Sequence, residues 1–209
     1  MRGRNRDRLV ASKAMPKTIA LINMKGGVAK TTVAVNLAAD LAVRHRKRVL
    51  LVDMDPQFNA TTSLVKGEAY LAHINHHKSI VDVFRRPTAM GTVRRAQKAT
   101  GPSLEKASIE VIKARRPGAG LLRVVPSSLS LMTLETSART TERLLRLWLE
   151  RVASEFDFVI IDCPPTVSFF TQAAMLAADC YLVPIKPDPL SSIGLPLLEN
   201  WLGEYQESA

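Results

Sequence analysis

A short apolar run, Thr18-Ile-Ala-Leu-Ile-Asn23, leads directly into Met24-Lys25-Gly26-Gly27-Val28-Ala29-Lys30-Thr31-Thr32 and then into a helical pattern, and this junction constrains the fold more than any other feature. Strand, glycine loop and helix in this order form the setting that a phosphate-binding loop requires. Glycines let the backbone curl until its N–H groups converge on phosphate oxygens, and the N-terminus of the following helix adds a favourable dipole. In this reading Lys30 holds the outer phosphates and Thr31 offers its hydroxyl to Mg2+. The common pattern G-x-x-x-x-G-K-[ST] is nevertheless unmet, because Met24 and Ala29 stand at its glycine positions. On this segment alone, a glycine turn with merely exposed lysines explains the residues equally well.

The pattern downstream narrows the choice. Val33, Leu37 and Leu41, with alanines between them, recur at spacings of four and predict an apolar helix face, and Arg44 to Arg48 put positive charge at its C-terminal end. Val49 to Val52, Leu122 to Val125, Phe158 to Ile161 and Tyr181 to Ile185 are short apolar runs without alternation. Strands buried on both faces read this way, which predicts an α/β fold with a mostly parallel β-sheet flanked by helices on both faces. Thr140 to Val152 predicts another helix, with Trp148 among its core residues and Arg143, Arg146 and Glu150 on a solvated face. Trp201 is expected to be a second core anchor.

Carboxylates stand where such a sheet would place a ligand. Asp162 ends the run Phe158 to Ile161, and Asp53 and Asp55 follow Val49 to Val52. Aspartates after strands are often only turn residues, as Pro56 would suggest here. Three of them beside a phosphate loop instead favour a nucleotide site, since ligands collect at the carboxyl ends of parallel strands.

Lys25-Gly-Gly-Val-Ala-Lys-Thr-Thr32, Asp53-Met-Asp-Pro-Gln57 and Asp162-Cys-Pro-Pro165 together resemble, in order and separation, the deviant Walker A ATPases of the ParA/MinD class, and within it the ParA-like and Soj-like partition proteins. The resemblance runs from about Lys17 to Leu202 and implies a P-loop NTPase that uses ATP and Mg2+. It further implies that Gly26, Gly27, Val28, Ala29 and Thr32 surround the nucleotide with Lys30. Thr31 would ligate Mg2+, Asp162 would support the metal through water, Asp53 would lie near the metal shell, and Asp55 would position the attacking water. Lys25 would reach the nucleotide of a partner subunit in an ATP-sandwich homodimer. The loop Cys163 to Phe170 would act as a switch, and the stretch Pro184 to Asp188, with Pro184 and Pro187, would approach the adenine. A ParB-like adaptor would stimulate hydrolysis during plasmid or chromosome segregation. Relatives continue several tens of residues past the position of Ala209, so a C-terminal portion of that architecture is expected to be missing. A non-catalytic nucleotide-binding module and a MinD-like positioning ATPase are the alternatives.

Charge bears on the partner. Lysine and arginine outnumber aspartate and glutamate by 29 to 19 in 209 residues, a net charge of +10 that favours polyanions such as DNA. Residues 1–16 read as a basic arm before a domain over 17–209, and 87–120 reads as a basic insertion whose helical-looking part is Ser103 to Ala114. Arg94, Arg95, Arg115 and Arg116 of that insertion are the candidate contacts for nonspecific DNA. No apolar run approaches the roughly 20 residues that span a bilayer, so no membrane partner is expected, and the resemblance implies a cytoplasmic, nucleoid-associated protein. Cys163 and Cys180 read as buried thiols, and His73, His76 and His77 as exposed polar residues with no zinc site.

Overall fold

The computed structural model describes residues 15–85, 101–113, 116, 118–134, 142–187, 196, 198–200, 202 and 203. Most of the basic arm, Arg94, Arg95, Arg115 and Trp201 therefore lie outside the described residues. Six strands form one sheet: β1 (Lys17–Leu21), β2 (Arg48–Asp53), β3 (Ile109–Ile112), β4 (Leu121–Val125), β5 (Phe158–Asp162) and β6 (Cys180–Leu182), in the order β3-β4-β2-β5-β1-β6. All neighbouring pairs are parallel except β3 with β4, which is antiparallel at the edge. The mostly parallel sheet expected from the unalternating apolar runs is thus present.

Each central strand buries both faces. On one, Val49, Leu51, Leu122, Val124 and Ile160 pack against α1 (Lys30–Val43) and α2 (Asn59–Leu64). On the other, Leu50, Val52, Val125, Val159 and Ile161 join α4 (Ile80–Phe84), α6 (Arg143–Val152) and α7 (Phe169–Ala177), with Trp148, Phe156 and Phe170 among the largest fully buried side chains. The short helices α3 (Gly67–His76) and α5 (Leu104–Ala107) lie between these elements in the chain.

Four expectations change. Helix α1 buries Ala34, Ala38 and Ala42, not Val33, Leu37 and Leu41, which are only partly buried at its flanks. Small side chains on the sheet-facing line bring the helix axis close to the strands. Ser103 to Ala114 is not one helix: α5 ends at Ala107 and Ile109–Ile112 is the edge strand β3. Ser108 marks the break, its hydroxyl donating to the Leu104 carbonyl at 2.7 Å and accepting from Arg123 Nε at 2.8 Å, and the β-branched residues after it pair with β4. His73 is buried, 7% exposed, with Nε2 2.8 Å from the Lys78 carbonyl, and burial lowers its pKa; Cys163 is buried as expected, whereas Cys180 is exposed on edge strand β6.

Candidate functional site

Parallel pairing brings the strand ends together. The register sets Leu21 opposite Asp162 and Asp162 opposite Asp53, so β1, β5 and β2 finish level with one another. Chain from β1 crosses through α1 to β2, stepping over β5, and this reversal of strand order opens the crevice in which α/β sheets bind ligands.

The loop between β1 and α1 curls as its glycines suggest, with Gly27 at φ +68°. Ala29, at the helix N-cap, also adopts a left-handed conformation at φ 67°, which explains why the common pattern has glycine there. Gly26 to Thr32, Asp55, Gln57, Asn59 and Pro165 line a cavity of about 380 Å3, within the range of small-molecule sites. Lys30 is buried, 7% exposed, and its Nζ donates to the Lys25 carbonyl at 3.2 Å. Burial lowers its pKa, and the nearby Asp162, Cys163 and Asp55 work against that shift.

The three aspartates are placed differently. Both oxygens of Asp162 are fully buried and have no hydrogen-bond partner, although Thr31 lies near enough to ease the charge. Burial pushes its pKa up to about 6, Asp55 adds to the rise, and Lys30 opposes it. An uncompensated buried carboxylate is costly unless something positive or a polarised water joins it. Asp55 holds the turn that follows it, accepting Gln57 N–H at 2.9 Å through Oδ1, and lines the cavity. Asp53 makes its hydrogen bonds within the protein. Its Oδ2 accepts both the backbone N–H and the hydroxyl of Thr61 at 2.8 and 2.7 Å, and its Oδ1 accepts Asp55 N–H at 3.1 Å. It is wholly buried and anchors the N-terminal half of α2 and the Asp55 turn; like Asp162, it lies behind the residues that line the cavity.

Sequence reasoning missed several participants. Asn59, at the start of α2, reaches the cavity, and Thr61 holds Asp53. Asn23 accepts Lys25 N–H through Oδ1 at 2.9 Å and donates Nδ2 to the Pro184 carbonyl at 2.8 Å. An asparagine immediately before a glycine loop is the signal that could have found it, since such side chains bond locally to backbone. Neither Lys25, Pro184 nor Pro187 lines the cavity. Among the described residues, no three His, Cys, Asp or Glu side chains are grouped to hold a metal. Arg116 is exposed and distant in sequence from these elements.

Residues 16–209 match the AAA_31 family, an AAA domain. The chain is 34% identical over 189 residues to the sporulation initiation inhibitor protein Soj of Bacillus subtilis, covering 89% of this chain and 64% of Soj. It is 32% identical over 188 residues to the virulence plasmid ParA family protein pGP5-D of Chlamydia psittaci, covering 88% and 62% respectively. The chain thus spans somewhat less than two thirds of the curated relatives it matches. Among solved structures, a plasmid partition protein from Borrelia burgdorferi bound to AMPPNP shares the fold, at a TM-score of 0.72 and 22% identity over 92% of this chain and 72% of the other. Cobyrinic acid a,c-diamide synthase from Mycobacterium smegmatis with bound ADP and magnesium is similar at a TM-score of 0.67 and 26% identity, over 92% and 69%.

Proposed function

Since this chain belongs to the AAA_31 family, as a ParA/Soj-like member of the deviant Walker A class, we propose that it is a partition ATPase switch that binds Mg2+ and ATP at the loop of Lys30 and hydrolyses ATP slowly. One observation carries this reading: Asp162, buried beside Lys30 and Thr31, presents two fully buried carboxylate oxygens that make no well-formed hydrogen bond. That donor set fits a hydrated divalent cation, with Thr31 as its direct ligand. Bound Mg2+ would neutralise charge on the phosphate oxygens.

The chain's own residues divide the remaining work. Loop N–H groups from Gly26 to Thr31 and the Lys30 ammonium clamp the outer phosphates, because phosphoryl transfer depends on electrostatic clamping and alignment more than on covalent help. Asp55, fixed through Gln57 N–H, orients the attacking water. Lys25 acts across a homodimer, a ParB-like adaptor stimulates turnover, and nonspecific DNA retains the ATP-bound dimer during plasmid or chromosome segregation in the cytoplasm. Among the described residues no helix is long and apolar enough to cross a membrane.

Titration with a fluorescent ATP analogue and a coupled phosphate assay test the assignment. Lys30→Ala should abolish both binding and turnover. Equal behaviour of variant and parent removes the nucleotide reading; binding by the parent without turnover makes it a non-catalytic module.

A further inference from the structure

The loop after β6 is fastened to the start of the phosphate loop by one side chain. Asn23 bridges the Pro184 carbonyl and Lys25 N–H at 2.8 and 2.9 Å. Two residues beyond Pro184, the Lys186 ammonium lies 3.9 Å from where a Cβ would stand on Gly27, the left-handed glycine in the cavity wall. Lys186 is exposed and forms no ion pair among the described residues. Lys186 does not itself line the cavity, but an ammonium this close to a left-handed glycine of the cavity wall is within a side chain's reach of an anion held by that loop. We propose that Lys186 is a phosphate ligand of the nucleotide site, with Asn23 as the positioning residue that holds its loop over Gly27.

This inference rests on the nucleotide reading above and gives the 184–187 loop a phosphate role beside the adenine contact that the resemblance implies. A lysine here acts as a mobile point charge, so its contribution is sensitive to salt and indifferent to the base. It also makes any movement of the β6 loop depend on the charge state of the bound nucleotide, because a triphosphate attracts Lys186 more than a diphosphate does.

The experiment titrates the full chain with a fluorescent ATP analogue in Mg2+ at several salt concentrations, using inorganic tripolyphosphate and adenosine as competitors. Lys186→Gln should weaken the analogue and tripolyphosphate about fivefold, reduce the salt dependence, and leave adenosine competition unchanged; Lys186→Arg should restore affinity. Asn23→Ala should weaken binding too, with a loss that overlaps that of Lys186→Gln in the double variant. Affinity and salt dependence equal to the parent in Lys186→Gln, while Lys30→Ala abolishes binding, would overturn the Lys186 assignment alone. Unchanged binding in Lys30→Ala would instead overturn the nucleotide reading. Equal losses toward tripolyphosphate and adenosine would move Lys186 to the base, and fully additive losses would remove the role given to Asn23.

Discussion

Ala29 and Asp53 show how single residues bear the local cost of this site. Ala29 carries a Cβ at φ 67°, a conformation that disfavours L-residues by about 1–2 kcal/mol. Glycine relieves that strain but adds freedom to the unfolded chain, so Ala29→Gly should stabilise the protein by no more than about 1 kcal/mol, measured by urea unfolding. Loss of stability would mean that the alanine methyl makes a compensating contact. Asp53 is a case of charge. Burial pushes its pKa up to about 7, against the pull of its Thr61 and Asp55 hydrogen bonds. An aspartate in the unfolded chain releases its proton near 3.8, so above that pH the folded state holds a proton that the unfolded state has released. Stability of the nucleotide-free protein should therefore fall as pH rises from about 4 to 7 and level off beyond. Asp53→Asn should flatten this decline in thermal-midpoint scans; the same slope in both proteins would assign the pH dependence to other groups.

At the scale of elements, the end of α1 is seated directly on the entry to β4. A Cβ on Gly120 would stand 1.8 Å from the Ala42 carbonyl oxygen, and Leu121 N–H donates to the Lys47 carbonyl at 3.1 Å. The obstacle is backbone, which cannot rotate aside. Gly120→Ala should therefore destabilise the protein by more than about 2 kcal/mol through displacement of α1 from the sheet. Gly118→Ala is the control, with φ +77° but open space around it, and should cost only about 1 kcal/mol. Equal effects of the two substitutions in chemical denaturation would show that α1 yields to the added methyl at little cost. The junction matters to the site because α1 presents Lys30 and Thr31 at its other end, about 21 Å away at 1.5 Å per residue for its 14 residues.

For the whole molecule, the proposed switch separates nucleotide binding from water attack. Asp55→Ala should retain ATP, lose turnover by at least about a hundredfold, and accumulate an ATP-dependent dimer in light scattering. A variant that stays monomeric at saturating ATP contradicts the sandwich mechanism for this chain. Charge is also distributed along the sheet axis. Arg44, Arg46 and Lys47 after α1, with Lys113 and Arg116 between β3 and β4, are exposed at the end opposite the phosphate loop. Asp40 offsets part of this charge by pairing with Arg44 at 3.3 Å. If nonspecific DNA uses this end, replacing Arg44, Arg46 and Lys47 with alanine should flatten the dependence of log affinity on log salt by about 0.9 for each phosphate that is no longer neutralised, with ATP binding intact. An unchanged slope would move the DNA surface to residues 87–100 or to the basic arm.

The phosphate loop, the strand runs and the three acidic positions after strands were legible in the sequence because each depends on neighbours along the chain: glycine conformations, unbroken apolar runs, and a helix start. Tertiary structure decided what adjacency cannot encode. Strand order placed Asp162 between Leu21 and Asp53, and only then did three similar aspartates acquire different partners: Thr61 for Asp53, Gln57 for Asp55, and no well-formed hydrogen bond for Asp162. Packing likewise chose the alanines of α1 as its buried line, turned Ile109–Ile112 into an edge strand, and buried His73 against the Lys78 carbonyl. The approach of Lys186 to the Gly27 side of the loop joins segments distant in the chain, as the Asn23 to Pro184 bond does at a separation of 161 residues. Side-chain type sets which chemistry is available, but burial and long-range pairing set which groups are left unsatisfied.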